Sequence, residues 1–239
     1  QNMSGQVGSG SNEATITSPT AIEVENDPKE VSLGWQHSCM LDSLTKVWCW
    51  GKNDVGQLRL DDSVNHKAPK EVISVRGAIK VSAGGYHTCI ITALKKLLCW
   101  GWNGYRQLGT GSNSNSNKPI EVVGLSDISS VSLGMYHTCA VDSFFQLYCW
   151  GWNSYGQLGL GHKTNKSTPT KVVFDNGQVV QVSLGEHHSC IINNLSQVWC
   201  FGFNRDGQLG DGTTTNRRTP TQIRSAASQI DVGDFHARP

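Results

Sequence analysis

Charge is scarce in this chain. Only 16% of its 239 residues are charged, and Lys plus Arg (20) nearly balance Asp plus Glu (19), leaving a formal net charge of +1. Such a chain carries no strong field of one sign, which removes nucleic acid and anionic membrane as expected partners. Long apolar runs are missing too. No stretch approaches the roughly 18 residues that a spanning helix needs, so no membrane insertion is expected. The opening stretch Gln1 to Thr20 has neither a basic start nor an apolar segment, and the expectation is a soluble protein whose signal peptide, if it had one, has been removed. Helical periodicity is absent, as are a glycine-rich phosphate loop opening a helix, a nucleophile elbow and recurrent acid pairs. No enzyme, cofactor or resident metal is therefore expected. What the chain does have is 26 Gly, 8 Trp and 8 Cys within a 37% hydrophobic composition, too aromatic for a disordered polymer.

Self-similarity organises the rest. Val31-Ser-Leu-Gly, Val81-Ser-Ala-Gly, Val131-Ser-Leu-Gly and Val182-Ser-Leu-Gly are each followed by His-Ser-Cys or His-Thr-Cys, beginning at His37, His87, His137 and His188. Ten residues after each of those cysteines stands another, then an aromatic residue and Gly (Trp50-Gly51, Trp100-Gly101, Trp150-Gly151, Phe201-Gly202), then Gln-Leu from Gln57, Gln107, Gln157 and Gln208. Prolines at 19, 69, 119, 169 and 220 mark the seams. They divide the chain into a polar lead (1–18), four repeats (19–68, 69–118, 119–168, 169–219) and a partial fifth (220–239). The fifth runs Ile230 to His236, then has Ala237-Arg238 where Ser or Thr and Cys are expected.

Within a repeat, Ser129 to Leu133, His137 to Val141 and Gln146 to Trp150 read as short strands separated by Gly, Asn and Ser. A small sheet recurring about every 50 residues predicts an all-β fold, a β-propeller of four-stranded blades, because one such sheet cannot cover both its faces alone. At these residues the unit resembles the regulator of chromosome condensation repeat family: Val131-Ser-Leu-Gly-Met-Tyr-His-Thr-Cys-Ala, then Trp150-Gly-Trp-Asn-Ser-Tyr-Gly-Gln-Leu-Gly. The likeness spans residue 19 to about 236, with departures at Arg106, Arg59 and Phe201. The family's usual ring has seven blades, so this chain is expected to be a fragment or an assembly piece. The alternative is a smaller ring, closed by a strand near Ala21 to Val24 completing the fifth blade.

Cys39 and Cys49, Cys89 and Cys99, Cys139 and Cys149, and Cys190 and Cys200 lie ten apart. A hairpin turning midway places each pair on adjacent strands, where a disulfide is sterically allowed. Four such pairs predict a secreted or cell-surface protein. The sharper alternative is a metal site from His37, Cys39 and Cys49, repeated in each blade. Sequons at Asn2, Asn165 and Asn194 are candidate glycosylation sites. Gly109 to Gly111 and Gly159 to Gly161 read as repeat loops in which Gly supplies positive φ.

The recurring His residues read as structural, bonding backbone near the axis. Residues that vary between blades are better candidates for function. Leading into the recurring His stand Trp35, Tyr86, Tyr136, His187 and Phe235; after the aromatic-Gly pair come Trp102, Trp152 and Phe203, with Lys52 in the first repeat. Both loops leave the sheet at one end, so these side chains are expected to crowd one face and to bind a protein or glycan. The leading expectation is a non-catalytic extracellular binding or scaffold module. The rivals are a structural subunit assembling with copies of itself, and a lectin.

Overall fold

The computed structural model describes residues 1–73, 75–233 and 237–238. The fold is all-β: four antiparallel sheets of four strands each, ordered β1-β2-β3-β4 and so on, follow one another as blades. Blade 1 is β1 (Pro28–Leu33), β2 (His37–Asp42), β3 (Val47–Gly51) and β4 (His66–Glu71). Blade 2 is β5 (Ala78–Ala83), β6 (His87–Thr92), β7 (Leu97–Gly101) and β8 (Ser116–Glu121). Blade 3 is β9 (Ile128–Leu133), β10 (His137–Asp142), β11 (Leu147–Gly151) and β12 (Lys166–Lys171). Blade 4 is β13 (Val179–Leu184), β14 (His188–Asn193), β15 (Val198–Gly202) and β16 (Arg217–Arg224). A short pair, β17 (Asp231–Val232) and β18 (Ala237–Arg238), follows. Among the described residues the sheets do not close into a ring.

The seam prolines are not blade boundaries. Pro69, Pro119, Pro169 and Pro220 each lie inside the outer strand of a blade, an edge where a missing N–H costs no ladder bond. The second and third strands are almost wholly buried, because each blade packs both its faces. One inter-blade core joins Val141, Leu147, Leu158 and Val172 of blade 3 to Val179 and Phe201 of blade 4. Side chains buried to this degree each contribute about 1.5–3 kcal/mol.

All eight cysteines form disulfides in the expected pairs: 39 with 49, 89 with 99, 139 with 149, and 190 with 200. Each pair lies directly opposite in the register, with Cα atoms 4.1–4.2 Å apart, the close spacing of a non-hydrogen-bonded antiparallel pair. Those bonds take Cys39 and Cys49 out of the alternative metal site.

Two readings of the amino-terminal region change. Residues 21–24 form no strand; Val24 instead packs on Met40, Trp48 and Trp50. Residues 2–8, read as part of a polar lead, fold into the same turn that ends every repeat. The Val7 amide donates to Asn2 Oδ1 at 3.0 Å, as the Leu58 amide does to Asn53 Oδ1 at 3.0 Å. Asn2 is accordingly buried, with its Nδ2 donating to the Glu13 carbonyl. The other two sequons differ in setting: Asn194 is exposed in a hairpin turn, whereas half-buried Asn165 accepts the Asn153 amide on Oδ1.

Candidate functional site

The recurring residues build the scaffold under the site. His37 Nε2 lies 2.9 Å from Thr88 Oγ1, and Thr88 Oγ1 donates to the Gln57 carbonyl at 2.9 Å. Since the hydroxyl hydrogen points at Gln57, the histidine must donate, which puts its proton on Nε2. The same carbonyl accepts Trp100 Nε1–H. His87, Thr138, Gln107 and Trp150 repeat this link between blades 2 and 3. Between blades 3 and 4, His137, Ser189 and Gln157 do so without an indole, because Phe201 replaces Trp. These three histidines thus bond a hydroxyl of the next blade, where a backbone partner was expected. Gln6 serves blade 1 in the same way, accepting Ser38 Oγ–H and Trp50 Nε1–H.

Burial holds His37 down to about 4 and His87, which also faces His37, down to about 3. Burial, reinforced by His187, His188 and His87, keeps His137 well below the usual range. The recurring glycine makes room for these rings. A Cβ on Gly84 would stand 2.8 Å from His87 Cε1 and 2.6 Å from the Gly134 carbonyl. Around the axis the amides of Trp35, Gly85 and Met135 donate to the carbonyls of Gly84, Gly134 and Glu186 in the next blade.

On this scaffold the variable residues form a continuous aromatic band. Tyr86 stacks on Tyr136 at 5.8 Å and 10°, and Tyr136 stacks on His187 at 6.2 Å. Trp102 meets Tyr86 and Tyr136 edge-on, and Trp152 meets Tyr136 and His187. Phe203 closes the band against His187. Trp35 occupies its loop one residue earlier than Tyr86 does, and still reaches the Tyr86 ring edge-on at 5.4 Å. Seven of the eight expected residues therefore lie together, and Phe235 falls outside the described residues. Two members were not anticipated. Tyr105 stacks on Trp152 at 5.6 Å, and Tyr155 lies 4.7 Å from Phe203. Their signal was available, since the repeats carry Val55, Tyr105, Tyr155 and Asp206 at this loop position.

The band is amphipathic. Trp35 is 51% and Tyr105 38% exposed, while the remaining rings are half-buried. Lys52 Nζ sits 5.8 Å from the Tyr86 ring centre and pairs with Asp54 at 3.3 Å. Burial first, then the Tyr136 hydroxyl and the carboxylates of Asp54 and Glu186, push the Tyr86 phenol up to about 12. Its hydroxyl therefore stays a hydrogen-bond donor under all physiological conditions.

A family model described as RCC1-like domain matches residues 1–237. The ultraviolet-B receptor UVR8 of Arabidopsis thaliana is 38% identical over 81 residues, 32% of this chain and 18% of that protein. Among solved structures, human WBSCR16 is 21% identical with a TM-score of 0.88, over 99% of this chain and 65% of that one. Prp20p of Saccharomyces cerevisiae is 21% identical with a TM-score of 0.78, over 88% of this chain and 55% of that one. The chain thus spans less than two thirds of the length of each of these proteins.

Proposed function

Because this chain belongs to the RCC1-like domain family, we propose that it acts as a non-catalytic protein-binding module of the extracellular space, engaging its partner through the aromatic band. Prp20p, whose fold it shares, binds Gsp1p and histones, so protein recognition is a role this propeller can support. The observation that carries the reading is the continuity of the band across blades 1 to 4, from Trp35 to Phe203. A recurring scaffold already has an architectural explanation; a run of varying Trp and Tyr set on it does not. Rigid rings offer large contact area with few torsions to freeze on binding. The four disulfides fit an oxidising compartment, and the exposed Asn194 turn offers a place for a glycan.

The test is a photo-crosslinking amino acid at Tyr105, with Lys118 on an outer strand as control. The expected outcome is one discrete crosslinked protein at Tyr105 only, lost when Trp152→Ala is added while the melting temperature is kept. Equal crosslinking at both positions, or an unfolded Trp152→Ala, would refute the reading.

A further inference from the structure

The aromatic band borders a trough of about 580 Å³ along the axis, lined by the inner ends of the blades. Leu33, Leu133 and Leu184 are interspersed with serines and glycines along its wall, and its mouth carries Trp35, Met135 and Glu186. These last three stand at equivalent places in their loops, directly after the recurring glycine. The charge of the lining is one-sided. Glu186 and Asp231 contribute carboxylates, and among the described residues no lysine or arginine lines the trough. Lys52, beside the rings, is held by Asp54, and His187 faces Glu186 at 3.4 Å. Lys52 also shows that an ammonium group sits well on this aromatic surface.

We propose that the trough is a socket for a lysine or arginine side chain presented on a loop of the protein partner. The proposal rests on the binding-module reading above and names the chemistry of its central contact. The side chain's apolar stem would lie along Leu33, Leu133 and Leu184, where it loses little by leaving water. The charged head would meet Glu186 and Asp231 beside the Trp35 ring, whose face attracts cations. The volume lies within the ~300–1,000 Å³ typical of ligand sites, enough for a loop tip as well as one side chain. A phosphate or a carboxylate-bearing ligand would meet two like charges here and no counter-charge.

The probe is the pentapeptide Gly-Leu-Arg-Leu-Gly, blocked at both ends, titrated into isotopically labelled protein while the Trp35 indole N–H resonance is followed, assigned with Trp35→Phe. The comparison peptide replaces arginine by citrulline, which keeps the shape and removes the charge. Saturable movement of the Trp35 signal is expected with the arginine peptide. Binding should weaken at least tenfold for the citrulline peptide and severalfold for Glu186→Gln combined with Asp231→Asn. Equal affinity for both peptides, or an arginine peptide that leaves Trp35 unmoved, would overturn the socket. If that happens while Trp152→Ala still abolishes crosslinking at Tyr105, the aromatic face stands and only the cationic contact falls.

Discussion

Acidification from pH 7 to pH 5 is expected to weaken this fold sharply, well before its carboxylates titrate. The cause is the ladder of neutral histidines between blades. His37 and His87 are held at about 4 and about 3, below the ordinary 6.5, and His137 is also depressed. For a base whose folded pKa is lowered, the unfolded chain binds more protons, so stability is complete above 6.5 and is lost as pH falls toward the folded value. At pH 5 the unfolded histidine is charged while the folded one is still mostly neutral. The loss is one and a half pH units at about 1.4 kcal/mol each, or about 2 kcal/mol per histidine. The depressed carboxylates act in a lower window. In Asp211, burial pushes the pKa up, but hydrogen bonds from Thr213 and Arg217 outweigh it and hold the group at about 2. Asp42 and Asp62 likewise lie below their ordinary 3.8, so none of the three contributes between pH 5 and 6.5.

Urea titrations at half-unit steps between pH 7.5 and 5 measure the effect directly. The wild-type midpoint should fall steeply, and His87→Gln, in which the amide can still donate to Thr138, should be less stable at pH 7 but lose about 2 kcal/mol less on acidification. A flat profile from pH 7 to 5, or an unchanged slope in His87→Gln, would refute the neutral-ladder account.

Two further outcomes follow from backbone and covalent structure. Thr45 and Phe145 occupy the left-handed region at φ 63° in equivalent hairpin turns, where an L side chain costs about 1–2 kcal/mol. Thr45→Gly and Phe145→Gly should each stabilise by about 1 kcal/mol after the added flexibility of glycine, seen as a rise of about 2–4 °C in melting temperature; a fall in either would show that the side chain contributes more than its strain. Removing one staple with Cys139→Ser and Cys149→Ser should lower unfolding free energy by about 2–3 kcal/mol, the loop-entropy value for so short a ring, and an unchanged urea midpoint would contradict it.

The blades were legible in the sequence because each recurring residue does the same local work every time. The Val-Ser-x-Gly run holds an inner strand whose serine bonds the next blade, as Ser32 accepts the Ala83 amide and Ser132 the Leu184 amide. The hairpin period set by each cysteine pair also fixes the cross-strand register. Less legible was the recurring Asn of the loop. Asn53, Asn103, Asn153 and Asn204 are fully buried and cap the turn through Oδ1. Their role depends on where the chain folds back, which spacing does not reveal. The turn at residues 2–8 escaped for a different reason. Val7 stands where the other repeats have Leu, so Asn2-Met-Ser-Gly-Gln-Val-Gly looked like polar lead although it aligns with Asn153-Ser-Tyr-Gly-Gln-Leu-Gly.

Arg59 and Arg106 show how strongly the scaffold overrides local preference. They replace glycines of the repeat, yet keep the glycine conformation, at φ 60° and 69°. The corresponding Gly109 and Gly156 stand at 71° and 86°. Neither arginine has relaxed its turn, because the turn is fixed from outside: the Asn53 and Asn103 side chains accept the amides of Leu58 and Leu108, and the Gln57 and Gln107 carbonyls accept indoles of the next blade. The same rigidity frees the loop positions between these anchors to vary. Tyr105, directly before the strained Arg106, is held in place for contact with Trp102, Tyr136 and Trp152. A turn that tolerates a strained side chain without moving is therefore also one that can present an aromatic ring without first having to order it. Such preorganisation is what the proposed binding face requires.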